Sequence, residues 1–218
     1  MDLNFTVIER NLPLFLSGMR MTVEISALAI VLALIWGMVV ALAGRSRAPG
    51  LPLLARSYIE VVRNTPVLVQ MYFIFFGSAI AGHPISGYAA GLLALTLQNG
   101  GYIAEIYRAG IESVSRRQVE AGLALGMMPR QTFRIVVLPQ AISRVIPPIS
   151  NQGVIIIKDT ALISTLSVAE LTFQGRMIAD RTAATYEVFL TLAVFYIVIT
   201  TVFSGAMRLL EARLRIAQ

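Results

Sequence analysis

The sequence predicts an all-α membrane protein with about five transmembrane helices, and three observations predict it. The 218 residues are 56% hydrophobic with a mean hydropathy of +0.74, more apolar than a soluble domain of this length. Four stretches, 25–44, 64–82, 84–104 and 188–207, are uncharged and about 20 residues long, enough to cross the hydrocarbon core of a bilayer. The arginines gather in alternate connections: Arg45, Arg47, Arg56 and Arg63, then Arg108 to Arg144, then Arg208, Arg213 and Arg215. These three regions share one side if the chain crosses five times. The positive-inside rule then places the N-terminus outside and the C-terminus in the cytoplasm. The opposite connections are balanced, with Lys158, Arg176 and Arg181 against Asp159, Glu170 and Asp180.

Each element follows in order. Residues 1–17 are mixed in character and read as an outer interfacial segment leading into a first span at about 18–44. No basic-then-apolar-then-small pattern of a cleaved leader opens the chain, so this span is expected to stay as an anchor. Residues 46–50 read as a turn. The second span, about 60–82, begins at Arg63-Asn64-Thr65-Pro66, where Pro66 suits a first helical turn and Thr65 or Asn64 a cap. A glycine-rich outer turn occupies 77–87. The third span, about 84–108, carries Gly91, Gly100 and Gly101, small residues that let helices approach closely. The fourth, about 141–158, is short, and Pro147 and Pro148 are expected to interrupt it. Residues 158–187 form the longest outer stretch, and the fifth span covers about 186–208. Without a repeat or a linker, 1–218 reads as a single membrane domain. Trp36 and the tyrosines are expected to pack and to anchor at the interface.

Between the third and fourth spans lies a polar, glycine-punctuated segment, about 116–140. Gly122 and Gly126 are four apart, so a helix would place them on one face and leave a shallow notch for another protein surface. Pro129 suits the first turn of a second short helix. Arg116, Arg117, Arg130 and Arg134 surround the segment and mark it as cytoplasmic. Such a loop points to a partner that drives the protein from the cytoplasm. The energy source is not in this chain: no glycine-rich phosphate loop ending in Gly-Lys-Ser/Thr is present, and the only lysine, Lys158, stands between Ile157 and Asp159. No nucleophile-elbow, HExxH or paired-acid motif appears, so the chain is not expected to be an enzyme. There is no cysteine, and the single His83 sits in a His-Pro turn, so neither a metal nor a cofactor is expected. The net charge of +6 follows topology, implying contact with anionic lipid heads in the bilayer rather than with nucleic acid.

Glu120-Ala121, Gly126 and Leu138-Pro139 resemble the "EAA" loop of the membrane subunits of bacterial binding-protein-dependent ABC importers. The third residue of the usual Glu-Ala-Ala is Gly122, a departure that keeps the position small. Further along, 62–70 is similar to the Arg-x-Thr-Pro-x-Leu-x-Gln element of the polar amino acid uptake branch, and 101–111 to that branch's third-span ending. Leu16-Ser17-Gly18, Met21-Thr22, Gln118, Gln140-Ala141, Lys158-Asp159-Thr160 and Ala169-Glu170-Leu171 follow in the family's order. Where many members have Thr-Ser-Leu, this chain has Thr160-Ala161-Leu162, so no role of that serine carries over. The resemblance implies short coupling helices between the third and fourth spans, with Glu120, Ala121, Gly122, Gly126 and Pro139 coupling to an ATPase. It also implies two ATPase subunits, a second permease subunit that is identical or paralogous, and an external or periplasmic solute-binding protein. The solute would be a polar amino acid or a similar small zwitterion, and the location the bacterial inner (plasma) membrane, crossed several times.

Five polar residues are candidates for a solute pathway. Charges within spans are costly and tend to face a bundle interior or an aqueous cavity. Glu105 is read mainly as an internal pair with Arg108, three residues on, and otherwise as part of a gate. Lys158 and Asp159 supply a cation and an anion, as a zwitterion needs, or else form an outer interfacial pair. Gln98 and Asn99 offer neutral hydrogen bonds to solute or to another helix. Glu24 reads as interfacial. Two rival functions stay open on these residues alone: an ATP-independent secondary transporter, which would show inverted repeats or deep carboxylate relays, and a non-transporting anchor subunit.

Overall fold

The computed structural model describes residues 5–214, and among them no strand occurs. The helices are α1 (Thr6–Gly44), α2 (Leu51–Arg63), α3 (Val67–Ile80), α4 (Gly87–Glu112), α5 (Arg116–Ala124) and α6 (Pro129–Thr132). A π turn (Phe133–Val137) leads into α7 (Leu138–Asp159). A 3₁₀ turn (Thr160–Leu166) then precedes α8 (Leu171–Thr182) and α9 (Thr185–Leu214).

Helix α1 is the spine. It has 39 residues, so it runs about 58 Å at 1.5 Å per residue. The N-terminal stretch expected as an interfacial segment is, from Thr6 on, part of this same helix, which passes through Pro13. Its main neighbour is α4, packed through small residues. A Cβ on Gly37 would lie 2.7 Å from Ile103 Cγ2 and 2.9 Å from the Gly100 carbonyl oxygen. Nearby, Trp36 Nε1 donates to Tyr58 Oη at 2.7 Å, and Tyr58 donates to the Leu97 carbonyl at 2.5 Å, locking α1, α2 and α4 together. Trp36 and Tyr58 also meet edge to face at 6.1 Å.

The residues expected as one span, 60–82, form two helices. Pro66 lacks an amide hydrogen and pushes the residue before it out of the helical region. It therefore stands at the N-cap of α3, with φ −57° and ψ 137°. Asn64 and Thr65 do not cap α3. Their side chains turn back onto the Glu60 and Val61 carbonyls, both at 2.8 Å. The break exposes the Val62 and Thr65 carbonyls, and two glutamines fill it. Gln70 Nε2 donates to them at 2.9 and 3.1 Å, and Gln98 Nε2 from α4 at 3.3 and 2.9 Å.

The opposite correction applies to the fourth expected span. Pro147 and Pro148 do not interrupt α7, which is continuous over 22 residues. A proline's fixed φ is itself helical, so the pair removes two ladder bonds without ending the helix. The irregular backbone lies instead at the two ends of α7, in the π turn and the 3₁₀ turn. The long stretch after Asp159 is mostly structured, with α8 folded back against α1 and α9.

Two apolar clusters hold the bundle. One joins α1, α3, α4, α7 and the 3₁₀ turn around Ile25, Met71, Leu95, Ile156 and Ile163. The other joins α1, α7, α8 and α9 around Phe15, Leu171, Ile178 and Val188, with Phe15 stacked on Phe195 at 5.7 Å. Among the described residues, two helices are long and apolar enough by themselves to cross a membrane, Thr6–Gly44 and Thr185–Arg213; Val67–Ile80 is apolar but shorter. Helices α4 and α7 carry Gln98, Asn99 and Gln152 on buried positions, which lowers their hydropathy while α1, α3 and α9 flank them.

Candidate functional site: an exposed hairpin and a buried polar seam

Helices α5 and α6 form a short hairpin between α4 and α7. Helix α5 ends in a Schellman motif. Met127 N–H donates to the Gly122 carbonyl at 3.1 Å and Gly126 N–H to the Leu123 carbonyl at 2.9 Å. Gly126 takes φ +81°, the left-handed region that side chains with a Cβ resist. Pro129 then opens α6, as its sequence position predicts, and the Gln131 side chain accepts from Met128 N–H at 2.8 Å.

The expected Gly122–Gly126 notch does not form. The helix stops at Ala124, so the two glycines do not share a face. Gly122 is buried inside the hairpin, where a Cβ would sit 2.9 Å from Thr132 Cγ2. Gly126 is exposed, and a Cβ there would meet nothing within 4 Å. The surface offered outward is apolar instead: Leu125 is 84% exposed, Met128 66% and Ile135 63%. Glu120 and Ala121 are also exposed, as are Arg116, Arg117, Arg130 and Arg134 on the same segment. Pro139 is half-buried in the first turn of α7.

The hairpin is tied to the bundle at its base. Val114, Val137 and Ala141 form a buried cluster with Ile111 and Val119. Gln140 Nε2 donates to Gln118 Oε1 and to the Val136 carbonyl, and the Arg144 guanidinium donates to the Ser113 carbonyl. These contacts join the hairpin to the ends of α4 and α7.

The seam lies where α4 meets α7. Gln152 Nε2 donates to Asn99 Oδ1 at 2.6 Å, and Asn99 Nδ2 donates to the Leu95 carbonyl at 2.8 Å. Asn99 is 1% exposed, so the pair is a bridge in the protein interior. Nothing local in the sequence marks Gln152, because its partner Asn99 is 53 residues away and meets it only in the fold. Thr96 Oγ1, one turn before, is the buried side-chain oxygen without a hydrogen-bond partner among the described residues. Asp159 lies two helical turns beyond Gln152 on the same side of α7 and is half-buried, whereas Lys158 is exposed. Among the described residues neither forms an ion pair.

Glu105 takes the pairing expected of it. Arg108 donates to both its oxygens, at 3.1 and 2.8 Å, and also reaches Glu112 at 2.6 Å. Arg63 approaches Glu105 at 3.8 Å.

A second carboxylate, absent from the candidate residues, accepts from four donors. Glu170 has no exposed surface. It caps α8 by accepting from Thr172 N–H at 2.9 Å and Phe173 N–H at 2.7 Å. Tyr196 Oη of α9 donates at 3.1 Å and Thr22 Oγ1 of α1 at 3.3 Å. Burial pushes its carboxyl above the ordinary range, against the pull of these donors. An isolated acid at the start of a short amphipathic segment was the available signal.

A family model described as "Binding-protein-dependent transport system inner membrane component" matches residues 29–216. The glutamine transport system permease protein of Escherichia coli (strain K12) is 39% identical over 221 residues, covering 99% of this chain and all of that one. A probable glutamine ABC transporter permease protein of Bacillus subtilis (strain 168) is 32% identical, covering 97% and 98%. A chain from the crystal structure of an amino acid ABC transporter with histidines superposes with a TM-score of 0.92 at 37% identity, over 98% of this chain and all of that one. A chain of the inward-facing MetNI methionine ABC transporter shares the fold, with a TM-score of 0.78 at 18% identity.

Proposed function

The chain belongs to the inner membrane components of binding-protein-dependent transport systems, permeases of ABC importers whose ATP hydrolysis takes place in separate subunits, and on that premise we propose that its solute is a polar amino acid carried into the cytoplasm. The observation that carries the reading is the α5–α6 hairpin: an exposed apolar tip on an arginine-rich segment, tied at its base to α4 and α7. Glu120, Ala121 and the Leu125–Met128 tip take the groove of an ATPase subunit, while Gly122, Gly126 and Pro139 shape and seat the hairpin. Its approach and withdrawal during ATP turnover tilt the ends of α4 and α7 and switch access to the seam between them.

In this reading the whole chain is one transmembrane domain that crosses the inner membrane five times. The spans are α1, α3 with the end of α2, α4, α7 and α9, with the N-terminus outside and the C-terminus in the cytoplasm. The alternation of arginines supports that orientation. Two permease chains, identical or paralogous, pair with two ATPase subunits, and an external binding protein delivers the solute. Asn99, Gln152 and the unpartnered Thr96 hydroxyl line the inner part of the pathway. Asp159 receives the ammonium group of the solute nearer the outer side, with Lys158 beside it, and Gln98 and Glu105 hold the neighbouring helices in place.

The test is uptake by the complete complex in proteoliposomes, with glutamine as the first probe among labelled polar amino acids. ATP-dependent accumulation is expected; accumulation that persists without ATP would assign the chain to secondary transport. Asp159→Asn, an isosteric change that removes one charge, should raise the half-saturating solute concentration about tenfold, equivalent to 1.4 kcal/mol, with assembly intact. An unchanged half-saturation and rate would make Asp159 an interfacial residue only.

A further inference from the structure

Two neighbouring cavities share lining residues near the C-terminal end of α1. The first is a cleft of about 480 Å³ between α1, α2 and α4, edged by Arg45, Arg56, Arg63 and Arg108, with Glu60, Glu105 and Glu112. Four arginines against three glutamates leave one positive charge in excess. The charges are not spent evenly. Arg108 is held by Glu105 and Glu112, and Arg63 lies beside Glu105 and 5.1 Å over the Tyr102 ring. Glu60 accepts from Asn64 Nδ2 at 3.2 Å. Arg45 and Arg56 are exposed, and among the described residues neither has an ion-pair partner.

The second cavity is a groove of about 130 Å³ between α1, α4 and α7, walled by Met38, Leu42, Ile142 and Val145. The two share Ala41, Arg45 and Arg108. A polar cleft with two unspent guanidinium groups therefore adjoins an apolar groove, with Arg45 on the wall of both. The groove runs from Arg45 back along α1 toward Met38, away from the charged end of the bundle. Beside the cleft, α2 buries Ala55, Ile59 and Val62 and turns outward Leu53 and Leu54, 69% and 67% exposed, as a helix does at a membrane surface.

An amphiphile with an anionic head and an apolar tail matches this pairing of cavities. Guanidinium forks fit phosphate oxygens, and a basic pocket between helices at the membrane boundary is suited to an anionic headgroup. We propose that the cleft and groove together hold one anionic phospholipid, its phosphate between Arg45 and Arg56 and one acyl chain along Leu42 and Ile142. Bound there, it fills the angle between α1 and α2 and braces the Glu105–Arg108–Glu112 cluster.

The experiment is native mass spectrometry of the assembled transporter, released from neutral detergent micelles doped with phosphatidylglycerol. One phosphatidylglycerol per permease chain is expected to survive. The double variant R45Q/R56Q should lower that occupancy at least tenfold, and R45K/R56K, which keeps the charge, should retain most of it. Ile142→Trp, which fills the groove and leaves both arginines in place, should also displace the lipid, so the test survives if the first variant fails to assemble. Excess inorganic phosphate should not compete. Equal occupancy in wild type, R45Q/R56Q and Ile142→Trp would overturn the proposal. So would displacement by inorganic phosphate, which would reassign the cleft to a free anion.

Discussion

Leu125→Asp should leave the permease folded and inserted yet cut ATP-driven uptake to less than a tenth. Leu125 is the C-cap of α5 and is 84% exposed, so its side chain contributes little to the chain's own stability. Surface substitutions of that kind stay within about 0.5 kcal/mol. In the complex proposed above, the same side chain serves as an apolar anchor of the docking surface. Truncating such an anchor typically costs 2 kcal/mol or more, and burying an unpaired carboxylate adds to it, so a loss of at least about 100-fold in ATPase affinity is expected. Co-purification of the ATPase with the permease and uptake in proteoliposomes are read together. Gly126→Arg probes the same surface through the backbone, because a residue with a Cβ at φ +81° costs about 1–2 kcal/mol and loosens the Schellman turn. Full ATPase occupancy and normal uptake in Leu125→Asp would remove the hairpin from the coupling path.

Glu170→Ala should act on the opposite property, destabilising the bundle with no direct effect on docking. The carboxylate satisfies two backbone amides at the start of α8 and two hydroxyls from α1 and α9. Losing a helix cap costs about 1 kcal/mol. Each buried donor left unpaired costs about 1–3 kcal/mol, and the vacated volume adds a further penalty. A total of about 3–5 kcal/mol is a large part of the margin of an ordinary fold. The readouts are the thermal midpoint in detergent and the yield of intact permease. Glu170→Gln, which keeps one acceptor oxygen, should lie between wild type and Ala. A thermal midpoint unchanged in the Ala variant would show that the three helices hold together without this carboxylate.

What the sequence made legible follows from the range of each interaction. The helical class, the polar hairpin and the start of α6 at Pro129 depend on composition and near neighbours, and all are present as expected. The Glu105–Arg108 pair is three residues apart and equally local. A local pattern misleads where it has two structural outcomes. Pro66 breaks a helix whereas Pro147 and Pro148 do not, and the difference lies partly in Gln98, which reaches the freed carbonyls from another helix. A spacing of four between Gly122 and Gly126 means a shared face only while the helix continues, and the left-handed turn at Gly126 ends it. Glu170 and Gln152 owe their importance to partners up to 148 and 53 residues away, which no window along the chain contains.

The length of α1 has a consequence for how this protein sits in its lipid. A rod of about 58 Å exceeds a hydrocarbon core of about 30 Å by nearly a factor of two. Even at a tilt of 40°, the upper end of the range for membrane helices, it would still rise through about 45 Å along the bilayer normal. In the five-span reading the depth of α1 is set by its uncharged stretch, 25–44, which matches the hydrocarbon thickness and is bounded by Glu24 and Arg45. The turns before it stand clear of the acyl chains, and there Phe15 and Gly18 pack against Leu171 and its neighbours on α8. One rod thus serves as membrane anchor along one half and as the post of an extramembrane layer along the other.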